Sequence, residues 1–428
     1  MLAIASEPIL SLADTAMIGH LGVEPLAARA IAGALFAGIH WIFSFLAFGT
    51  TTLVAHHYGA NEPWRCGEMT FHALFLALVS GIAIALCGLF LAPLLFSLMG
   101  AEESVRALGI SYFRIRILAL PFLFLFYAAV GFLRGIQNTR LPMRIAFMVN
   151  GLNILLDYLW IYGKAGFPAL GLTGAAWASV AAQAIGGILC LKLFFFSSYT
   201  ERYGLRSQAL SPRQLLPLFR IGHEIALRTA ALQLALIFAT AMASRMSAVL
   251  LASHEIAIQL WLLISYTIDG LAVAGQALVA KYLGGHRADR SYDVGKRLIL
   301  WGLGTGLLFA ATYLSLKQPL IALFTKSPEV IDTLRGIFFL LVFFQPLNGI
   351  VFVLDGVLIG ASDTRFLMWA MLIGSLGIFI PISWLSLQLG WGLTGLWIGF
   401  TLFMAWRLAT NLLRFSNRRW ESAFPGRT

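Results

Sequence analysis

Long apolar runs separated by short polar connections fill the sequence from end to end. A helix needs about 20 apolar residues to cross the hydrocarbon core of a bilayer, and most of these runs reach that length. The pattern therefore predicts an all-α integral membrane protein with twelve transmembrane helices. Their approximate residue ranges are 1–21, 26–58, 67–98, 107–135, 141–163 and 171–197, followed by 218–246, 249–283, 294–316, 329–360, 365–389 and 392–415.

The first six predicted helices and the last six are copies of each other. The sequence of residues 131–140, GFLRGIQNTR, matches that of residues 356–365, GVLIGASDTR. We call the alignment that places Gly131 opposite Gly356 the repeat register. The sequence GLTG of residues 171–174 returns at residues 392–395, in a slightly shorter register. Six helices is an even number, so both copies have the same orientation in the membrane. We expect them to be related by an axis along the membrane normal, with a cavity between them.

The longest polar connection falls between the sixth and seventh helices and divides the chain. We predict an N-terminal lobe at 1–197, a cytoplasmic linker at 198–217, a C-terminal lobe at 218–415 and a cytoplasmic tail at 416–428. Lysine and arginine concentrate in this linker, in the tail and in every second connection. Because cytoplasmic connections are enriched in these residues, both termini are predicted to be cytoplasmic. We expect a multi-pass protein of a bacterial inner membrane.

Composition narrows the classes of function. The chain has 428 residues, of which 59% are hydrophobic and only 11% charged. Soluble proteins carry roughly 25% charged residues, which argues against a water-soluble enzyme. The net charge of +11 is spread over short connections, so it does not indicate a nucleic-acid surface. Neither metal-ligand spacing of cysteines nor clustered acidic or histidine motifs point to an enzyme. We predict a membrane protein that is a monomer and has no cofactor.

Four aspartates lie inside predicted membrane helices. An ionised carboxylate at the centre of a bilayer costs roughly 2.5–3.5 kcal/mol on insertion scales, so each should be protonated, poised to become so, or paired. The alternative is a buried carboxyl that only hydrogen-bonds a neighbouring helix. These residues are Asp14 and Asp157 in the first copy, and Asp269 and Asp355 in the second.

The internal repeat favours a chemical role for the first two aspartates. In the repeat register, Asp14 corresponds to Ala239 and Asp157 corresponds to Ile382. The same architecture can therefore be built without these carboxyl groups. In the second copy, Asp269 and Asp355 are possible substrate or coupling residues, and their equivalents in the first copy are also uncharged.

The predicted fifth helix carries a polar stripe that ends at Asp157. Asn150, Asn153 and Asp157 are spaced i, i+3 and i+7, which places them on one helical face. Ser179 in the sixth helix adds a hydroxyl. Together with Asp14, these groups could bind a proton, or a sodium ion through several oxygen ligands; the pattern leaves both open. Secondary candidates are Asn150, Tyr158 and Glu7.

Other intramembrane charges have simpler interpretations. Glu224 and Arg228 are spaced i, i+4, which predicts a salt bridge within the seventh helix. Arg114 and Arg116 in the fourth helix are expected to extend to the interface or to pair.

Several motifs resemble the multidrug and toxic compound extrusion (MATE) transporters. They are the sequence LADTAMIGHL at residues 12–21, Asn153–Asp157, and the segment Gly-x-x-Asn-Thr-Arg at residues 135–140. The tripeptides Ile268-Asp-Gly270 and Leu354-Asp-Gly356 resemble the DinF-type branch in particular. The similarity extends over essentially the whole chain.

This resemblance implies a fold and a function. It implies two six-helix lobes forming a V, and export of amphipathic, often cationic compounds by antiport. It also implies an ion site in the first lobe, formed by Asp14, Asn153, Asp157 and Ser179, and Asp355 matches an acidic position of the tenth helix. DinF-type relatives favour protons as the coupling ion, with sodium as the other possibility. The alternative function is a lipid-linked precursor flippase, which would want a more basic cavity than these acidic candidates offer.

Overall fold

The computed structural model describes residues 14–99 and 103–424. Residues 14–19 are helical, and sixteen labelled helices follow. In the first half they are α1 (Val23–Phe43), α2 (Phe45–Gly59), α3 (Pro63–Leu98), α4 (Glu103–Arg116), α5 (Leu120–Gly135), α6 (Arg140–Tyr162), α7 (Leu172–Phe195) and α8 (Ser198–Tyr203). In the second half they are α9 (Pro212–Met246), α10 (Ala248–Gly284), α11 (Ala288–Ser315), α12 (Lys317–Phe324), α13 (Pro328–Gly360), α14 (Thr364–Leu372), α15 (Ile380–Gln388) and α16 (Gly392–Ser416).

Eleven helical spans within the described residues are long and apolar enough to cross a membrane. They confirm the second to twelfth predicted helices. The predicted and observed ends differ most for the seventh and ninth predicted helices, which begin at Pro212 and Ala288 and not at residues 218 and 294. Most of the first predicted helix lies outside the described residues. Three spans each contain two labelled helices that the hydropathy pattern does not separate, namely α1 with α2, α4 with α5, and α14 with α15. The first of these spans is interrupted at Ser44, whose Oγ donates to the carbonyl oxygen of Trp41 at 2.7 Å.

The chain folds into two compact units. The first extends to Gly222, and the second begins at His223. In the first unit α5 packs against α2 and α3, and in the second unit α13 packs against α10 and α11. The predicted linker at 198–217 contains α8 and the start of α9, so it is largely helical.

A close approach of two helices recurs in both units. A Cβ atom added at Gly131 of α5 would lie 2.8 Å from the carbonyl oxygen of Ala47 in α2. One added at Gly356 of α13 would lie 2.2 Å from the carbonyl oxygen of Ala272 in α10. Both glycines are required because a side chain would collide with backbone. The two contacts correspond in the repeat register, so the predicted repeat is present in the packing of the helices.

The repeat extends to the turns that end these helices. Asn61 and His286 both have φ of 56°, and Gln137 and Ser362 have φ of 66° and 64°. Non-glycine residues rarely adopt this left-handed conformation. The two members of each pair correspond in the repeat register. The described residues therefore confirm two copies of one helical architecture.

Candidate functional site

The buried carboxyl group of Asp157 is the centre of the first polar cluster. Asp157 lies on α6 and is fully buried, and neither of its carboxylate oxygens has a hydrogen-bond partner among the described residues. One turn earlier on the same helix, the buried side-chain amide of Asn153 donates to Oγ of Ser179 on α7 at 3.3 Å. The structure therefore brings together Asn153 and Ser179 beside the turn that carries Asp157.

Asp14 joins this cluster from the helical segment at residues 14–19. Its Oδ2 lies 3.7 Å from Nη2 of Arg29, and its buried Oδ1 has no hydrogen-bond partner in the described part of the chain. It is also the carboxylate that acts most strongly on Asp157 electrostatically. The hydroxyl of Tyr162 donates to the carbonyl oxygen of Met17 at 2.9 Å, which holds this segment against the end of α6. The two predicted carboxyl groups are thus close neighbours.

Two arginines accompany the carboxyl pair. Arg29 of α1 and Arg116 of α4 are the cations that act on Asp157, and the buried Tyr112 lies among the same charges. The guanidinium of Arg116 lies 4.7 Å from the centre of the Phe36 ring, and its Nη1 has no hydrogen-bond partner within the described residues. With all four groups ionised, the two aspartates and two arginines have no net charge. We call these four residues the N-terminal cluster.

Arg29 is not among the candidates predicted from the sequence, which centre on carboxyl groups inside apolar runs. An arginine in such a run costs about as much on insertion scales as an aspartate and is an equally strong signal of a buried polar site. The prediction that Arg116 pairs or reaches the interface did not connect it to Asp157.

The secondary candidates are distributed differently. Tyr158 is 49% exposed and packs edge-on against Tyr162, with ring centres 5.9 Å apart, so it does not join the buried cluster. Asn150 is half-buried two turns before Asp157 on α6. Glu7 lies outside the described residues.

Asp355 of α13 is the centre of a second polar cluster, and three donors hold it. Arg228 of α9 and Arg407 of α16 both donate to its Oδ2, and the amide of Asn411 donates to its Oδ1 at 2.9 Å. Asp355 and Arg407 are 4% and 2% exposed. Hydrogen bonds from guanidinium groups to a carboxylate are charge-assisted and strong, so these contacts hold the Asp355 side chain in place.

Aromatic rings and a further aspartate complete this cluster. The Arg407 guanidinium lies 5.6 Å from the ring centres of both Phe352 and Phe403, a geometry for cation–π contact. Asp269 of α10 is half-buried and acts electrostatically on Arg407. We call Asp269, Asp355, Arg228 and Arg407 the C-terminal cluster. It also contains two aspartates and two arginines.

Two expectations are wrong in the light of these contacts. The salt bridge predicted between Glu224 and Arg228 does not form; Arg228 binds Asp355, and Glu224 accepts a hydrogen bond from Thr364. The intramembrane candidates are also not simply acidic, because an equal number of arginines accompanies the aspartates in each cluster. Helical spacing identified residues on one face but not their partners on neighbouring helices.

Two further arginines, one in the last turn of α16 and one just after it, also form ion pairs. Arg414 binds Asp363 through two contacts of 2.6 and 3.1 Å, and Arg418 binds Asp289 at 2.6 Å. The carboxylates of Glu421 and Asp289 raise the pKa of the Arg418 guanidinium above its usual value. These ion pairs fix the end of α16 and the turn that follows it to Asp363 and Asp289.

No group of three or more histidine, cysteine or acidic side chains arranged for a metal ion occurs in residues 14–99 and 103–424. Oxygen ligands for sodium are nevertheless present around Asp157. They are its two carboxylate oxygens, Oδ1 of Asp14 and the side chains of Asn153 and Ser179. Proton and sodium both remain compatible with this set.

Comparisons with known proteins agree with the fold. The chain is 30% identical to Protein DETOXIFICATION 44, chloroplastic, of Arabidopsis thaliana, covering 97% of this chain and 80% of the relative. It is 28% identical to DNA damage-inducible protein F of Escherichia coli, covering 97% and 89%. A crystal structure of a MATE protein in the bent conformation superimposes with a TM-score of 0.90 at 22% identity, covering 99% of this chain and 95% of that chain.

The match to a family model is equally extensive. The MatE family model matches residues 1–159 and 225–385, which corresponds to one segment in each copy of the repeat. Family members are transporters that act on small molecules in the membrane, and they are not enzymes. The chain is a multi-pass membrane protein and belongs to the MatE family of multidrug efflux transporters.

Proposed function

We propose that this protein exports amphipathic cations in exchange for protons by alternating access, and that the proton binds to the pair formed by Asp14 and Asp157. The observation that carries the proposal is the fully buried Asp157, whose oxygens lack hydrogen-bond partners in the described chain. An ionised carboxylate in such surroundings is costly unless a cation neutralises it. A proton and a cationic substrate would each remove that cost.

Exchange requires that the two ligands oppose each other. Two neighbouring carboxyl groups titrate together, so the bound proton belongs to the pair. If a protonated pair no longer attracts a cation, proton binding lowers the affinity for substrate, and substrate binding releases the proton. Reciprocal coupling of this kind is the thermodynamic requirement for antiport.

Asp355 is a poor candidate for the coupling residue. Two guanidinium groups and one amide occupy its oxygens. Protonation would break these contacts and leave buried arginines without their counter-ion, which costs about 3–5 kcal/mol in buried pairs. We therefore assign Asp355 and Asp269 a structural role, and we place coupling in the N-terminal cluster.

Sodium is the alternative coupling ion. The oxygens of Asp14, Asp157, Asn153 and Ser179 provide the type of ligand that a hard cation prefers. Arg29 and Arg116 favour the proton, because a proton needs only one bond to a carboxyl oxygen, whereas a sodium ion needs several oxygen ligands in a site that two arginines already share. A gradient experiment separates the two ions.

The second candidate function is a flippase for lipid-linked precursors. The observation that favours it is the presence of Arg29, Arg116, Arg228 and Arg407 in the two clusters, since guanidinium groups bind phosphate well. Their partners are aspartates in the same clusters, which leaves no formal positive excess. We therefore rank export of cations first.

Orientation and cellular location belong to the same proposal. The lysine and arginine distribution supports cytoplasmic termini, and we propose a bacterial inner membrane as the location. We propose that the monomer is the functional unit.

The test is efflux of the cationic dye ethidium from proteoliposomes, with a pH gradient or a sodium gradient imposed separately. We expect efflux with the pH gradient alone, and none in Asp14→Asn or Asp157→Asn. Tyr158→Phe, an exposed neighbour on α6, is the matched control and should transport normally. Efflux driven only by sodium would replace the coupling ion. Movement of a polyprenyl-phosphate-linked probe without ethidium transport would favour the flippase.

A further inference from the structure

The end of α7 carries a groove that belongs to neither polar cluster. Its volume is about 600 Å³, within the range of roughly 300–1,000 Å³ typical of ligand sites. Most of the lining is apolar, and two of the six lining residues are basic. They are Ile188, Leu191, Lys192, Phe195, Phe196 and Arg206. We call this feature the α7 groove.

The apolar half of the groove continues onto the surface of α7. Ile185, Ile188 and Leu189 are 41%, 54% and 37% exposed, and Phe196 at the end of the helix is 76% exposed. Large apolar side chains exposed along a membrane helix face acyl chains. The groove therefore opens directly onto the hydrocarbon region.

The basic half lies where a lipid headgroup would be. Lys192 is exposed in the last turn of α7, and Arg206 follows the short helix α8. Nη2 of Arg206 donates to the carbonyl oxygen of Phe195 at 2.5 Å, and its guanidinium lies 5.1 Å from the centre of the Phe196 ring. These two contacts hold Arg206 against the end of α7, and Lys192 lines the same groove.

The charge pattern identifies the occupant. None of the six lining residues is acidic, so the groove presents two positive charges above an apolar floor. The orientation proposed above, on which this inference rests, puts this end of α7 in the cytoplasm, where the membrane leaflet is rich in anionic lipid. We propose that the α7 groove binds an anionic phospholipid of the cytoplasmic leaflet, with its phosphate between Lys192 and Arg206 and an acyl chain along Ile188 and Leu191.

The site is independent of transport chemistry. Binding there would stabilise the junction between α7 and α8, because the lipid would bridge Lys192 on one helix and Arg206 beyond the other. An occupied groove should therefore raise the thermal stability of the protein in detergent, and the effect should require a negatively charged headgroup.

The experiment measures thermal stabilisation of the purified full-length protein by added phosphatidylglycerol or phosphatidylethanolamine, together with native mass spectrometry of bound lipid. For Lys192→Gln we expect the phosphatidylglycerol concentration for half-maximal stabilisation to rise about fivefold, which is the typical contribution of one basic residue near an anionic lipid. Arg206→Gln should act similarly, and Ile188→Trp should block the groove while keeping both charges.

Arg213→Gln is the matched control, because Arg213 is exposed in the same connection but does not line the groove. It should bind phosphatidylglycerol like the wild type. Since Arg206 also bonds to the backbone of α7, Lys192→Gln carries the test if Arg206→Gln unfolds. Equal stabilisation by the two lipids, or equal lipid retention in Lys192→Gln and Arg213→Gln, would overturn the proposal.

Discussion

The two copies of the repeat place opposite chemistry at matching positions. Several polar residues in or beside the N-terminal cluster have counterparts in the hydrophobic core of the second unit. In the repeat register the pairs are Asp14 with Ala239, Tyr112 with Ile337 and Arg116 with Leu341. The last helix follows the shorter register in which Gly171 matches Gly392. In that register Ser179 pairs with Phe400. The same helical frame therefore holds polar groups at these positions in one unit and apolar groups in the other.

At the position of Asp355 the polar group belongs to the second unit, and the matching residue of the first unit is the buried, apolar Val130. The two clusters nevertheless differ in bonding, although each contains two aspartates and two arginines. The oxygens of Asp157 have no hydrogen bonds among the described residues, whereas those of Asp355 accept three. Equal formal charge thus accompanies one carboxyl group that accepts no hydrogen bond among the described residues and one that three donors hold in place.

The largest expected effect is on transport. Asp157→Asn should reduce efflux driven by a pH gradient to the level of empty liposomes, because the pair can no longer exchange its proton for substrate. Insertion and folding should be unchanged, as judged by size-exclusion chromatography. Efflux at the wild-type rate in this variant would remove Asp157 from the coupling mechanism.

The next effect concerns stability. Asp355→Asn should lower the free energy of unfolding by about 3–5 kcal/mol, because it leaves Arg228 and Arg407 buried without their counter-ion. The same isosteric change at Asp157 breaks no hydrogen bond and should alter stability by less than about 1 kcal/mol. Denaturant unfolding in detergent compares the two variants. Equal destabilisation would contradict the difference in bonding.

A smaller effect tests the frame that the two units share. Gly131→Ala and Gly356→Ala should each lower stability by about 1–3 kcal/mol, since the added methyl group meets a backbone carbonyl in both units. Gly151→Ala on α6 is the control. No described atom lies within 4 Å of its added Cβ, and alanine favours helix over glycine by up to about 1 kcal/mol. Thermal unfolding should show matching losses at the two repeat positions.

The smallest effect is a shift in pH dependence. Arg116 acts on Asp157 as a nearby positive charge, which favours the ionised carboxylate. Arg116→Gln removes that charge. We expect the pH profile of efflux to shift in this variant while transport itself is retained.

Arg114→Gln is the control for this shift. Arg114 is exposed two residues away on α4, and its Nε donates to the carbonyl oxygen of Leu89. The same pH profile in both arginine variants would show that Arg116 does not act on the carboxyl pair.

Much of the fold follows from the sequence because hydropathy is a local property. An apolar run of sufficient length specifies a membrane helix whatever its neighbours are, and the constant spacing between matching motifs revealed the repeat. The α6 stripe was also predictable, since the helical period alone places Asn153 and Asp157 on one face. The hydrogen bond from the Asn153 amide to Ser179 on α7 agrees with that prediction.

Partner choice between helices could not be predicted in the same way. Arg228 is one turn after Glu224, yet it binds Asp355, which is distant in sequence. Arg29 reaches Asp14 only because the chain reverses between residues 19 and 23. Such contacts depend on the packing of α9, α13 and α16 and on the turn before α1. Periodicity describes faces of single helices and contains no information on this packing.

The most direct test of the central claim is to count the protons released when ethidium binds to the purified protein in weakly buffered detergent solution. If the carboxyl pair of Asp14 and Asp157 couples transport, the wild type should release protons on binding, and Asp157→Asn should release none. A folded Arg228→Lys variant, which perturbs the C-terminal cluster while keeping its charge, should release as many as the wild type. Release that persists in Asp157→Asn would contradict the account.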